Sequence, residues 1–299
     1  MMSCTPCAAP VPLNRASDIA TSVAVVPSIL PNPQGPETLT HDRSIADARH
    51  TPVGLLIHDV NSPLQAAPTK IRVLPPDKLD RSQRYPVVYV LPVEPLDETR
   101  FGDGLREVLT HKLHNQYQAI FVTPTFAHLP WYTDHPTDPQ VRQESYFIDV
   151  VLPLVEKSYP VRPGLGGRYL LGFSKSGWGA FSLLLRHPDL FAKAAVWDAP
   201  LMMPAPSDFG MGPIFGTQAN FARYQIGKLL QDRTAEVATG KRLILLGHGN
   251  FVQQVQQAHE LMTQLHIAHE YLDGPNRAHT WHSGWVLPAV QLLLADCGQ

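Results

Sequence analysis

Short apolar runs that do not alternate with polar residues constrain this chain most. Residues 86–91 (PVVYVL), 119–123 (AIFVT), 168–172 (RYLLG), 192–197 (AKAAVW) and 242–246 (RLILL) each read as a strand covered on both faces. Segments with helical spacing lie among them: 145–157, with Tyr146, Val150, Leu154 and Val155 on one stripe, then 176–186 stopped by Pro188, then 251–265 and 284–294. Two strands precede the first of these runs, at 54–58 and at 70–74 ahead of Pro75-Pro76, and a short one follows the last at 269–272. Strands that alternate with helices build βαβ units. The expected fold class is therefore α/β, a mostly parallel central sheet flanked by helices.

Composition sets the boundaries. Proline supplies 29 of 299 residues, about twice the usual ~5%. Seven of these prolines fall in the first 40 residues, where charge is sparse and no period is visible. Residues 1–45 are expected to form a disordered proline-rich tail, and 46–299 one domain. Within it, 199–224 (APLMMPAPSDFGMGPIFGTQANFARY) is a lid-like insertion. Lys and Arg number 24 against 26 Asp and Glu, a net charge of −2. That balance excludes nucleic acid or an anionic membrane as the main partner. No apolar run reaches the ~18 residues of a membrane span. Cys4, Cys7 and Cys297 sit at the termini, which is no disulfide framework, and Cys4-x-x-Cys7 lacks the second ligand pair of a zinc site. Residues 1–13 hold no Lys or Arg, so no secretory n-region is visible and the expected location is cytoplasmic.

Gly172-Phe173-Ser174-Lys175-Ser176-Gly177 stands between a buried strand and a helix, the setting of a nucleophile elbow. The turn demands small flanking residues, lifts Ser174 Oγ above the sheet and aims the Lys175 N–H at a developing oxyanion. The pattern departs from G-x-S-x-G in carrying Ser176 at the fifth position. Ser176 falls inside the first helical turn and is the rival nucleophile, and Ser174 as a mere helix N-cap is the bland alternative.

With these residues the chain resembles the putative esterase family of α/β hydrolases, the group that includes esterase D, feruloyl-type esterases and the mycolyltransferase antigens. The resemblance spans about residues 53–295. Its matching stretches are RYPVVYVLP (84–92), PWYTD (130–134), VLPLVEKSYPV (151–161), GRYLLGFSKSGWGAFSLLLRHPDLFAKAAV (167–196) and AHTWHSGW (278–285). It implies a Ser–His–acid triad, an oxyanion hole and acyl transfer to water or another acceptor.

The base should follow the last strand, in chain order Ser, acid, His. His279-Thr280-Trp281 with Trp285 beyond fits the family's signature, so His279 is the expected base, with His282 and Trp281 as substrate contacts. A metal pair of His279 and His282 lacks further ligands, as does the pair His111 and His114, and no metal or other cofactor is expected. Most such folds carry the acid after the strand at 242–246, where this chain has Gly247-His248-Gly249-Asn250 and no carboxylate. Asp198, directly after the strand at 192–197, is the expected acid and Asn250 the alternative. Asp273 lies too close in sequence to His279.

The family usually carries His-Gly after the first central strand, but here Pro92-Val93-Glu94 stands there. Pro92 has no N–H, so the expected oxyanion donors are Lys175 with Val93 or Glu94. Trp131, Tyr132 and Asp134 resemble the substrate-side loop. Met202 and Met203, with Phe209, Met211 and Phe215, would wall the site. The Lys175 side chain is expected to be exposed and turned away from Ser174 Oγ. The expected function is hydrolysis of a small-molecule carboxylic ester through an acyl-enzyme. The alternatives are a binding module with an impaired site, or an acyltransferase.

Overall fold

The computed structural model describes residues 44–247 and 249–295. The expected tail, apart from Ser44 and Ile45, and the three cysteines lie outside the described residues. Ten strands form one sheet among the described residues: β1 (Ser44–Ile45), β2 (Arg49–His50), β3 (Leu56–Asn61), β4 (Thr69–Leu74), β5 (Val87–Val90), β6 (Ile120–Pro124), β7 (Arg168–Phe173), β8 (Lys193–Trp197), β9 (Leu243–Leu246) and β10 (His269–Leu272). Their order is β1-β3-β4-β6-β5-β7-β8-β9-β10, with β2 also on β3. Pairing is parallel from β6 through β10 and antiparallel across β1 to β4 and from β4 to β6. The sheet is thus mixed, with a parallel centre.

The continuous apolar runs are explained by two cores, one on each face. Along β5, Val87 and Tyr89 enter one core and Val88 and Val90 the other. Along β9, Leu243 and Leu245 alternate with Ile244 and Leu246 in the same way. A strand at the centre of such a sheet has no solvent face, so its sequence has no polar alternate. The first core is covered by the helices Lys175–Arg186, Ile226–Asp232 and Val252–Gln264, and the second by Gly104–Thr110 and Val286–Leu293.

The single helix expected at 145–157 is built from three pieces, Gln143–Tyr146, a π turn at Phe147–Val151 and Leu152–Ser158. Pro153, without an N–H, cannot continue the regular ladder, and the wider turn precedes it. Helix Gly104–Thr110 had not been expected. Asp103 caps it, its side chain accepting from the N–H groups of Leu105 and Arg106. Ser44 and Ile45, assigned by sequence to the tail, pair with Asn61 and Val60.

Segment 199–224 packs mostly into the first core. Leu201, Met203, Met211, Ile214, Phe215 and Phe221 are buried in the first core, with Phe215 and Phe221 against Trp178. Its apolar content serves packing. No helix of the described residues is long and apolar enough to cross a membrane.

Candidate active site

The elbow forms because two positions, Gly172 and Gly177, have no room for a side chain. A Cβ on Gly172 would lie 2.2 Å from Ser176 O, and one on Gly177 would lie 2.6 Å from Ala199 Cβ. Ser176 fits at the fifth position because its hydroxyl turns inward, donating to Phe173 O at 2.8 Å and accepting from Phe173 N–H at 3.0 Å. That excludes Ser176 from the cleft. Ser174, between strand and helix, takes φ 53° and ψ −130°, a conformation rare outside glycine. It makes no side-chain capping bond to the helix. Its Oγ instead lies 3.0 Å from His279 Nε2.

Asp198 follows β8 at φ 42° and is almost completely buried. One carboxylate oxygen accepts from His279 Nδ1 at 2.6 Å. The other accepts from the N–H groups of Gly249 and Phe251 at 2.9 and 2.8 Å. Burial by itself would raise the Asp198 pKa. The hydrogen bonds from His279 and the Phe251 N–H outweigh it and hold the carboxyl below its usual range. An ionised Asp198 can only accept, so the His279 proton sits on Nδ1 and Nε2 is left to accept from the Ser174 hydroxyl. A hydroxyl held this way can pass its proton to imidazole as it attacks a carbonyl, and the carboxylate stabilises the imidazolium.

The loop after β9, where a carboxylate had been sought, supplies these N–H donors instead. Gly249 is required there, because a Cβ would meet Asp198 Oδ2 at 2.8 Å and Arg277 O at 2.6 Å. Asn250 lies in the cleft wall. Among the described residues no hydrogen bond joins it to His279.

Ser174 and His279 open onto a cleft of about 290 Å³ also lined by Arg100, Phe101, Phe209 and Phe251. Phe101, Phe173 and Phe251 surround the His279 ring at centroid distances of 5.3, 4.6 and 5.7 Å. Arg100, Phe101 and Phe251 carry no sequence signal of this position. Nothing in a loop's composition distinguishes a wall residue from its neighbours.

The oxyanion side is partly assembled. Lys175 opens the elbow helix, and neither its N–H nor that of Val93 donates to any described residue. Val93 and Glu94 are both buried, Glu94 with one carboxylate oxygen lacking a hydrogen-bond partner. Contrary to expectation, the Lys175 side chain is half-buried and lines the cleft beside Ser174.

The expected substrate contacts require correction. Trp131 and Tyr132 are fully buried away from the cleft. Tyr132 fills the space left open by Gly179 and donates its hydroxyl to Pro92 O at 2.6 Å, so it braces the loop that carries Val93. Asp134, two residues past Tyr132, pairs with Arg142 at 3.1 Å and accepts from the Ser145 N–H at 3.0 Å, and it does not line the cleft. Met203, Met211 and Phe215 are core residues, and Met202 packs beside Gly227, which leaves Phe209 alone of that group at the cleft. Trp281 is buried behind Phe173 and Trp197. His282 is exposed and bonded to Glu107 at 2.6 Å. Among the described residues no group of three or more His, Cys, Asp or Glu is placed to hold a metal ion.

The family described as Putative esterase matches residues 64–282. No curated protein matches the chain. Among solved structures, a ferulic acid esterase is 19% identical with a TM-score of 0.64, covering 81% of this chain and 96% of its own. An S-formylglutathione hydrolase of Agrobacterium tumefaciens is 16% identical with a TM-score of 0.65, covering 85% of this chain and 99% of its own. The fluorophosphonate-binding serine hydrolase F of Staphylococcus aureus, solved with substrate bound, is 15% identical with a TM-score of 0.65, covering 84% and 100%. At these identities the likeness establishes the α/β-hydrolase fold.

Proposed function

The chain belongs to the putative esterase family, and from that premise we propose that it hydrolyses a small-molecule carboxylic ester through a Ser174–His279–Asp198 triad. One observation carries the reading: Ser174 Oγ, His279 and Asp198 form a continuous hydrogen-bonded line at 3.0 and 2.6 Å at the base of an open cleft.

Ser174 Oγ attacks the ester carbonyl carbon while its proton passes to His279 Nε2. Asp198 keeps the imidazole in the accepting tautomer and balances the imidazolium charge. The tetrahedral oxyanion accepts from the Lys175 N–H and the Val93 N–H, each donor contributing about 3 kcal/mol to transition-state stabilisation. The C–O bond to the alcohol breaks, and His279 returns the proton to the leaving oxygen. Water then attacks the acyl-enzyme by the same route and frees the acid and Ser174.

The test is labelling with a fluorophosphonate probe together with turnover of p-nitrophenyl butyrate. The wild-type chain should label and turn over, and Ser174→Ala should do neither while keeping its circular-dichroism spectrum. Labelling that survives in Ser174→Ala would overturn the assignment.

A further inference from the structure

The cleft wall is charged on one side only. Arg100 Cζ stands 5.1 Å and Lys175 Nζ 5.7 Å from the centroid of the same Phe101 ring. Both side chains line the cleft beside Ser174, and the other wall residues, Pro200, Phe209, Asn250, Phe251 and His279 among them, include no carboxylate. Among the described residues neither cation has a carboxylate within ion-pair distance, and Arg100 makes no hydrogen bond. The opposing charge that acts on Lys175 is that of Glu94, which is buried and lines a different, smaller cavity.

Two cations beside one aromatic ring, with no carboxylate at ion-pair distance from either, are an unfavourable arrangement to keep empty. Burial of Lys175 disfavours its charge, Glu94 partly restores it, and Arg100 disfavours it again. An anion in the cleft within reach of both would relieve that repulsion and replace water lost on burial. The aromatic faces of Phe101, Phe209 and Phe251 would meanwhile hold the apolar part of the same molecule.

We propose that the ester taken by this site carries an anionic group, a carboxylate or a phosphate, held by Arg100 and Lys175, and that Arg100 determines this preference. The proposal rests on the ester-hydrolase reading and names the substrate class of that site. Asp198 does not oppose it, because its charge is enclosed by His279 and two backbone N–H groups.

The experiment compares charged and neutral esters of matched shape, each rate divided by its spontaneous hydrolysis. One arm sets mono-p-nitrophenyl glutarate against p-nitrophenyl valerate, placing the charge in the acyl group. The other sets 4-acetoxybenzoate against its methyl ester, placing it in the leaving group. In at least one arm the anionic ester should have a kcat/KM about tenfold higher at low salt, and added salt should erode that advantage. Arg100→Gln should cut the anionic-to-neutral ratio by about fivefold, and Lys175→Gln should cut it as well. The arm that responds identifies which half of the ester bears the charge. Ratios at or below one in both arms would overturn the proposal, as would a ratio that neither variant changes. Fluorophosphonate labelling of the same preparations separates the two readings. Labelled protein without anionic preference refutes this inference alone, whereas unlabelled wild-type protein refutes the hydrolase reading and this one with it.

Discussion

Asp198 Oδ2 lies 2.6 Å from His279 Nδ1 although 81 residues separate them in sequence. Asp198 reaches it from a left-handed backbone at φ 42°, braced by two N–H groups of the loop after β9.

That relationship makes Asp198→Asn an informative variant. Asn tolerates a positive φ as well as Asp does, so the turn should survive. The amide cannot balance an imidazolium, and it can stabilise the wrong imidazole tautomer. The kcat for a p-nitrophenyl ester should fall roughly 10³- to 10⁴-fold with little change in melting temperature. Asn250→Ala, which removes only part of the cleft wall, should cost less than about tenfold. The reverse order would move the orienting role to Asn250.

Ser176→Ala separates the two serines of the elbow. The Ser176 hydroxyl is fully buried and bonded to both backbone groups of Phe173. Its removal leaves those groups less well satisfied and should lower unfolding stability by about 1–2 kcal/mol, measured in urea. Fluorophosphonate labelling should persist, because Ser174 Oγ keeps its contact with His279. Loss of labelling with full stability would reverse the assignment of the two serines.

The central strands were legible because burial on both faces leaves one kind of residue to choose from, as in β5, β7 and β9. The elbow was legible because steric limits at Gly172 and Gly177 leave a local trace. The family resemblance pointed to His279, and a lone Asp at the end of a buried strand pointed to Asp198; the fold brings the two within 2.6 Å. What the sequence hides is which side of a wall an aromatic residue occupies. Trp131 and Tyr132 read as loop aromatics beside the substrate, yet Gly179 makes the space that buries Tyr132. Met203, Met211 and Phe215 read as an adaptable apolar wall, yet they complete a core. Arg100 and Phe101 left no signal, since their positions depend on how a loop returns over the sheet. The two-residue strands Ser44–Ile45 and Arg49–His50 are too short to carry a period.

The strain at Ser174 is measurable by comparing two inactive variants. At φ 53° and ψ −130° a Cβ is unfavourable and glycine is at ease. Both Ser174→Ala and Ser174→Gly remove the hydroxyl, so they differ in the Cβ methyl and in the backbone freedom it restricts. Glycine gains flexibility in the unfolded chain, which costs it about 0.4–1 kcal/mol, against strain relief of about 1–3 kcal/mol. Ser174→Gly should therefore be the more stable by about 1 kcal/mol in thermal or urea unfolding. Equal stabilities, or a more stable alanine variant, would mean that the elbow stores no strain.

Away from the cleft, Glu144 ties helix Gln143–Tyr146 to the end of helix Lys175–Arg186 and to Tyr224. It is nearly buried and bonded to Arg186 at 2.7 and 3.0 Å, to His187 at 2.8 Å and to the Tyr224 hydroxyl at 2.7 Å. Burial opposes its charge, but the His187 and Arg186 contacts prevail and hold its pKa down at about 2, against 4.5 for the free side chain. A carboxyl depressed on folding gives stability that is fully present above its unfolded pKa and is lost as pH falls through the folded one. The contribution should therefore be complete above about pH 5 and fade between about 4.5 and 2, amounting to about 3 kcal/mol. Glu144→Gln leaves Arg186 without its carboxylate, so it should be less stable at neutral pH by a similar amount. Its stability should also vary less between pH 5 and 2 than that of the wild-type chain. Parallel stability curves for the two proteins over that range would show that Glu144 is not the group whose protonation weakens the fold.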